Sequence, residues 1–120
     1  MKKILLLDDN KELCTLMTAM FRELGDHDIS CFNSYAEMVA LKSHQINFDV
    51  AFLDVNLGVN VPSGIDAFDW LINSGYKGRI IFFTGHARSY PLLKKSMEYP
   101  NVRLLEKPAD IEKIQAQLDD

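Results

Sequence analysis

At 120 residues the chain has the length of one domain, 1–120, able to bury a single sizeable core. Hydrophobic residues make up 48% and charged residues 25%, which excludes a disordered tract or a fibrous repeat. The formal net charge is -4 with no Lys/Arg block, so the electrostatic footprint of a nucleic-acid binder is missing.

Met1-Lys2-Lys3 precedes a short apolar run, Ile4 to Leu7, too brief for a signal peptide or a membrane span, and the expectation is a cytoplasmic protein without membrane contact. That run is the first predicted strand. A first helix follows, because Leu13, Leu16, Met17, Met20, Phe21 and Leu24 form one stripe at helical spacing, and Gly25 ends it. Ile29-Ser30-Cys31-Phe32 reads as an edge-like strand. Ser34 with Glu37 makes an S-x-x-E start for a second helix. Val50-Ala51-Phe52-Leu53 is a strand apolar on both faces. Ser63 to Asp66 opens a third helix that buries Ile65, Phe68 and Ile72. Ile80-Ile81-Phe82-Phe83 is again doubly buried, Pro91 suits the first turn of a fourth helix, and Val102 to Leu105 is a fifth strand. Asp110 caps a fifth helix carrying Ile111, Ile114 and Leu118. Such alternation predicts a doubly wound α/β fold with a parallel sheet covered by helices on both faces.

Cys14 and Cys31 fall within predicted elements and lack metal-ligand spacing, which reads as two reduced, buried thiols. His27 and His44 read as surface residues.

In open α/β sheets ligands sit beyond the carboxyl ends of the strands. Those ends carry Asp8 with Asp9, then Asp54, then Thr84, then Lys107. Three converging carboxylates repel one another unless a cation sits among them. An all-oxygen set without His or Cys favours magnesium. A carboxylate can also act as a nucleophile toward phosphorus, and Asp54 is placed for it. A transferred phosphoryl group spreads charge over three oxygens, which Mg²⁺, the Lys107 ammonium and the Thr84 hydroxyl would meet.

The set Asp8-Asp9, Asp54, Thr84 and Lys107-Pro108 resembles, over essentially the whole chain, the CheY-like receiver domain of two-component response regulators. The resemblance implies a flavodoxin-like strand order 2-1-3-4-5 and phosphorylation of Asp54 by a histidine kinase or phosphotransfer protein. It implies that Asp9 and Asp54 bind Mg²⁺ directly, that Asp8 acts through a water, and that the Asn56 carbonyl is a third protein ligand. Lys107 would pair with Asp54 or its phosphoryl group, and the Lys107-Pro108 bond would be cis. Thr84 would switch toward the phosphoryl group, while Asn56 and His86 tune its removal by water. Partners would read the face of the fourth helix, fifth strand and fifth helix, where a downstream target, a linked output domain or a second copy docks.

Two positions depart from the family pattern. Gly64 arrives late, so the segment Leu57 to Ser63 is longer by about two residues, a length surface loops tolerate. Leu104 stands where the family carries an inward-turning aromatic, which implies an output wired differently. The rival readings are a Mg²⁺-dependent aspartyl phosphohydrolase and a receiver-like scaffold that takes no phosphate. Against the first, Asp54-Val55-Asn56 lacks a second Asp for acid-base work. The expectation is a signalling module that catalyses only its own phosphorylation and dephosphorylation.

Overall fold

The apolar runs align as predicted: β1 (Lys3–Leu7), β2 (Asp28–Phe32), β3 (Val50–Leu53), β4 (Arg79–Thr84) and β5 (Val102–Glu106) form one parallel sheet in the order β2-β1-β3-β4-β5. The structure is a computed structural model and describes residues 2–42, 45–55, 57, 63–85, 98–107 and 110–119. Among them are the helices α1 (Lys11–Leu24), α2 (Tyr35–Val39), α3 (Gly64–Asn73) and α4 (Ile111–Leu118). The helix expected to open at Pro91 lies outside the described residues, so the one expected fifth is α4.

Successive strand residues point to opposite faces, and each face builds its own core. On one, Leu5, Leu7, Ala51, Leu53, Ile80 and Phe82 pack with Met38 of α2 and Ala67, Phe68 and Leu71 of α3. On the other, Ile4, Leu6, Val50, Phe52, Ile81 and Phe83 pack with Met17 and Phe21 of α1 and Ile114 and Leu118 of α4. Helices on both faces explain why the central strands carry no polar alternation.

Side-chain oxygens set the helix starts. Asn10 accepts from Leu13 N at 3.1 Å, Ser34 from Glu37 N at 3.2 Å and Asp110 from Lys113 N at 2.9 Å. Ser63, a weak start in sequence, is a full capping box: its hydroxyl accepts from Ile65 N and Asp66 accepts from Ser63 N at 2.7 Å. The far end of α3 closes with Gly75 at φ 84. There Tyr76 N donates to Leu71 O at 3.0 Å and Gly75 N to Ile72 O at 3.1 Å, a paired closure that needs a left-handed residue.

Several sequence expectations shift. Leu16 is 57% exposed, because it lies about 100° around α1 from buried Met17. The buried face of α3 runs through Ala67, Phe68 and Leu71, leaving Ile65 and Ile72 half-buried, and Ile111 is exposed on α4. His27 is not a plain surface residue: half-buried, its Nδ1 accepts from Lys2 N at 3.1 Å. Cys14 and Cys31 are not separate thiols. They are joined as a disulfide between α1 and β2, with Cα atoms 6.4 Å apart, a pairing set by how the helix lies against the sheet.

Candidate functional site

The parallel ladder runs one residue past β1 and β3 and fixes the two acids that follow them. Asp8 N donates to Phe32 O at 3.0 Å and Asp54 N to Leu7 O at 2.9 Å, so both carboxylates leave the carboxyl edge of adjacent strands. Thr84 ends β4. Lys107 follows β5 and is held there by its N donating to Thr84 O at 3.0 Å. The result is a cavity of about 270 Å³ lined by Asp8, Asp9, Asn10, Asp54, Thr84, Gly85 and Lys107. Among the described residues the buried polar or charged ones are Asp8, Asp54 and Thr84, all in this cavity. Burial of polar groups is costly unless they are paired, so their concentration at one rim marks the site.

The carboxylates of Asp8, Asp9 and Asp54 each bring an oxygen within 4.8 Å of the others. At an effective dielectric near 20 the repulsion between buried Asp8 and Asp54 is on the order of 3 kcal/mol, and exposed Asp9 adds less. Lys107 offsets part of it: Nζ lies 2.6 Å from Asp8 Oδ2 and 3.5 Å from Asp54 Oδ2, with the ammonium 5.2 Å from the centre of the Phe83 ring. Among the described residues, one ammonium against three carboxylates leaves negative charge in excess. An all-oxygen donor set with that excess fits a hard divalent cation such as Mg²⁺.

The residues predicted from strand ends, Asp8, Asp9, Asp54, Thr84 and Lys107, are thus brought together. Lys107 sits closer to Asp8 than to Asp54, the partner the resemblance implies. Leu104 is 37% exposed on β5 beside Phe82 and does not line the cavity. Asn56, His86 and Pro108, with the interior 58–62 of the long loop, lie outside the described residues.

Two contributors, Asn10 and Asn33, were not foreseen from the sequence, and a third, Gly64, was foreseen only as a late turn glycine. Asn10 N donates to Asp8 Oδ1 at 2.9 Å while its side chain caps α1. Asn33 Nδ2 donates to the Asp8 carbonyl oxygen at 2.8 Å, steadying the loop after β1. Gly64 approaches so closely that a Cβ there would overlap the Asp54 carbonyl oxygen, and its N donates to Val55 O at 3.0 Å. An Asn beside a strand end and a Gly at a helix start were the available signals, and both are common without function.

No curated protein compared with the chain is significantly similar to it in sequence. Among solved structures the chain is similar to a CheY-like response regulator receiver domain protein of Methanospirillum hungatei, with 16% identity, a TM-score of 0.82, and coverage of 98% of this chain and 90% of that one. It is also similar to the chemotaxis protein CheY4 of Vibrio cholerae, with 23% identity, a TM-score of 0.78, and coverage of 98% and 96%. A response regulator of Burkholderia pseudomallei, solved with a phosphorylated aspartic acid, a calcium ion and citrate, shares 24% identity, with a TM-score of 0.76 and coverage of 99% and 67%. These likenesses establish the fold. The family description "response regulator receiver domain" matches residues 4–119, and with that match the chain belongs to the response regulator receiver domains of two-component signalling.

Proposed function

We propose that Asp54 is the phosphoryl acceptor of this receiver, served by Lys107, Thr84 and a Mg²⁺ ion. The observation that carries the reading is the burial of Asp8, Asp54 and Thr84 together beside the Lys107 ammonium. In an in-line transfer an Asp54 carboxylate oxygen attacks phosphorus as the P–N bond to a phosphohistidine donor breaks, and the bonding pair leaves with the imidazole nitrogen. Lys107, already 3.5 Å from Asp54, moves its charge onto an incoming phosphoryl oxygen, and the Thr84 hydroxyl donates to another. Asp8, Asp9 and Asp54 would hold Mg²⁺, with the Asn56 carbonyl as a further ligand by resemblance. When bound, the ion supplies positive charge to the transferred group.

The donor class is a histidine kinase or phosphotransfer protein. Phosphorylation shifts populations in the fourth and fifth βα units, and a downstream target, a linked output domain or a second copy reads a face that includes Leu104 and Ile111, both 37% exposed. The protein acts on no outside metabolite and works in the cytoplasm. No described helix is long and apolar enough to cross a membrane.

Incubation with acetyl phosphate and Mg²⁺ tests the assignment by intact mass. One stable phosphoryl group on the wild-type chain and none on Asp54→Asn is the expected result. Continuous phosphate release without labelling points to a phosphohydrolase, and an unlabelled, inactive chain points to a scaffold; either outcome overturns the assignment.

A further inference from the structure

We propose that the Cys14–Cys31 pair is a redox-modification site that exchanges with small anionic thiols and reports its state to Asp8. The two cysteines line a surface cavity of about 370 Å³ together with Thr15, Thr18, Ala19 and Arg22. That volume suits a small molecule. Arg22, exposed in the last turn of α1, supplies a guanidinium that would attract an anionic thiol and its carboxylates.

Cys14 is 6% exposed and Cys31 is half-buried, so Cys31 Sγ is the sulfur that a reagent reaches. The thiolate attacks Cys31 Sγ, a mixed disulfide forms, and the bond to Cys14 breaks; Cys14 leaves as a thiolate and takes a proton from water. A second thiolate then attacks the small-molecule sulfur of the mixed disulfide, releasing Cys31, which is protonated in turn. Overall two thiols are oxidised to one small-molecule disulfide, and two electrons and two protons reach the cysteine pair.

The coupling to the acidic pocket runs through one backbone carbonyl. Cys14 Sγ lies 3.6 Å from Asp8 O, and Asn33 Nδ2 lies 2.8 Å from that oxygen and 3.4 Å from the same sulfur. In the disulfide Sγ carries no proton and α1 is tied to β2, which holds the Asp8 to Asn10 turn in place. Reduction gives Cys14 a thiol proton to offer to Asp8 O in competition with Asn33, and it releases the tie. This half of the proposal rests on the reading of the pocket as a Mg²⁺ site.

The test follows exchange by intact mass on the oxidised full chain, with anionic glutathione and neutral 2-mercaptoethanol compared. Arg22→Glu is expected to slow exchange with glutathione roughly tenfold while leaving the neutral thiol unaffected. Equal slowing with both thiols, or an oxidised chain in which both cysteines remain free, overturns the exchange site. Calorimetric titration with Mg²⁺ is the second arm: affinity falls about tenfold on reduction, and Cys31→Ser behaves as the reduced form in either buffer. Equal affinity in both redox states overturns the link to Asp8. Binding in neither state overturns the link and the pocket reading together, while the exchange result stands independently.

Discussion

Single atoms decide what the pocket tolerates. Lys107 Nζ bridges two buried carboxylates, 2.6 Å from Asp8 and 3.5 Å from Asp54, and its removal takes away the positive charge they share. Lys107→Met is expected to cost about 3 kcal/mol, less than full burial would impose because the lysine is 23% exposed. The shift of the urea midpoint checks it, and an unshifted midpoint would show that solvent already neutralises the pair. Gly64 works by having no side chain. A methyl group there would overlap the Asp54 carbonyl oxygen, so Gly64→Ala must push α3 away from Asp54. The expected loss is about 3 kcal/mol, with slower labelling of Asp54 by acetyl phosphate. Unchanged stability would mean that the turn relaxes freely.

At the scale of elements, the connection from α3 to β4 is closed by burial. Tyr76 follows left-handed Gly75, packs into the core and donates its hydroxyl hydrogen to Arg79 O at 3.2 Å. Burial, and secondarily the negative charge of Asp49, push the Tyr76 phenol well above its ordinary range. Because the folded state holds this proton more tightly, the stabilisation is complete below the unfolded-state value of about 10 and declines as pH rises above it. The wild type should therefore lose urea stability above about pH 10 more steeply than Tyr76→Phe does. Parallel alkaline profiles would assign the loss to other groups. Helix ends follow the same local logic. The capping box at Ser63 fixes where α3 starts, and that start brings Gly64 against Asp54.

Across the whole molecule, the sheet carries two cores and places the pocket at its carboxyl edge. Phe52, fully buried in β3, has its ring centre 5.3 Å from Phe21 of α1 and 6.3 Å from Phe83 of β4, so it ties a helix to two strands. Phe52→Ala should cost about 4 kcal/mol, a large share of the stability of a domain this size. Urea denaturation monitored by circular dichroism checks it. Since Phe52 lies two residues before Asp54, the proposed acceptor, the same variant should label poorly even where it remains folded. A small loss with normal labelling would show that the α1 side of the core repacks around the cavity.

Strands, the starts of α2, α3 and α4, and the chemical set at the rim were legible in the sequence because each is encoded locally. Continuous apolar runs mark strands covered on both faces, and the polar residue that ends each run must lie at the sheet's edge, where Asp8, Asp54, Thr84 and Lys107 are found. Which of these residues touch was not legible. Lys107 meets Asp8 across 99 positions, Asn33 reaches Asp8 across 25, and Cys14 joins Cys31 across 17. Local patterns were enough to predict an α/β sheet with an acidic rim and its resemblance to a receiver domain. That the lysine sits nearer Asp8, that Gly64 abuts Asp54 and that the cysteines pair emerges from packing alone, because side-chain partners are set by how helices lie on the sheet, and periodicity carries no record of that.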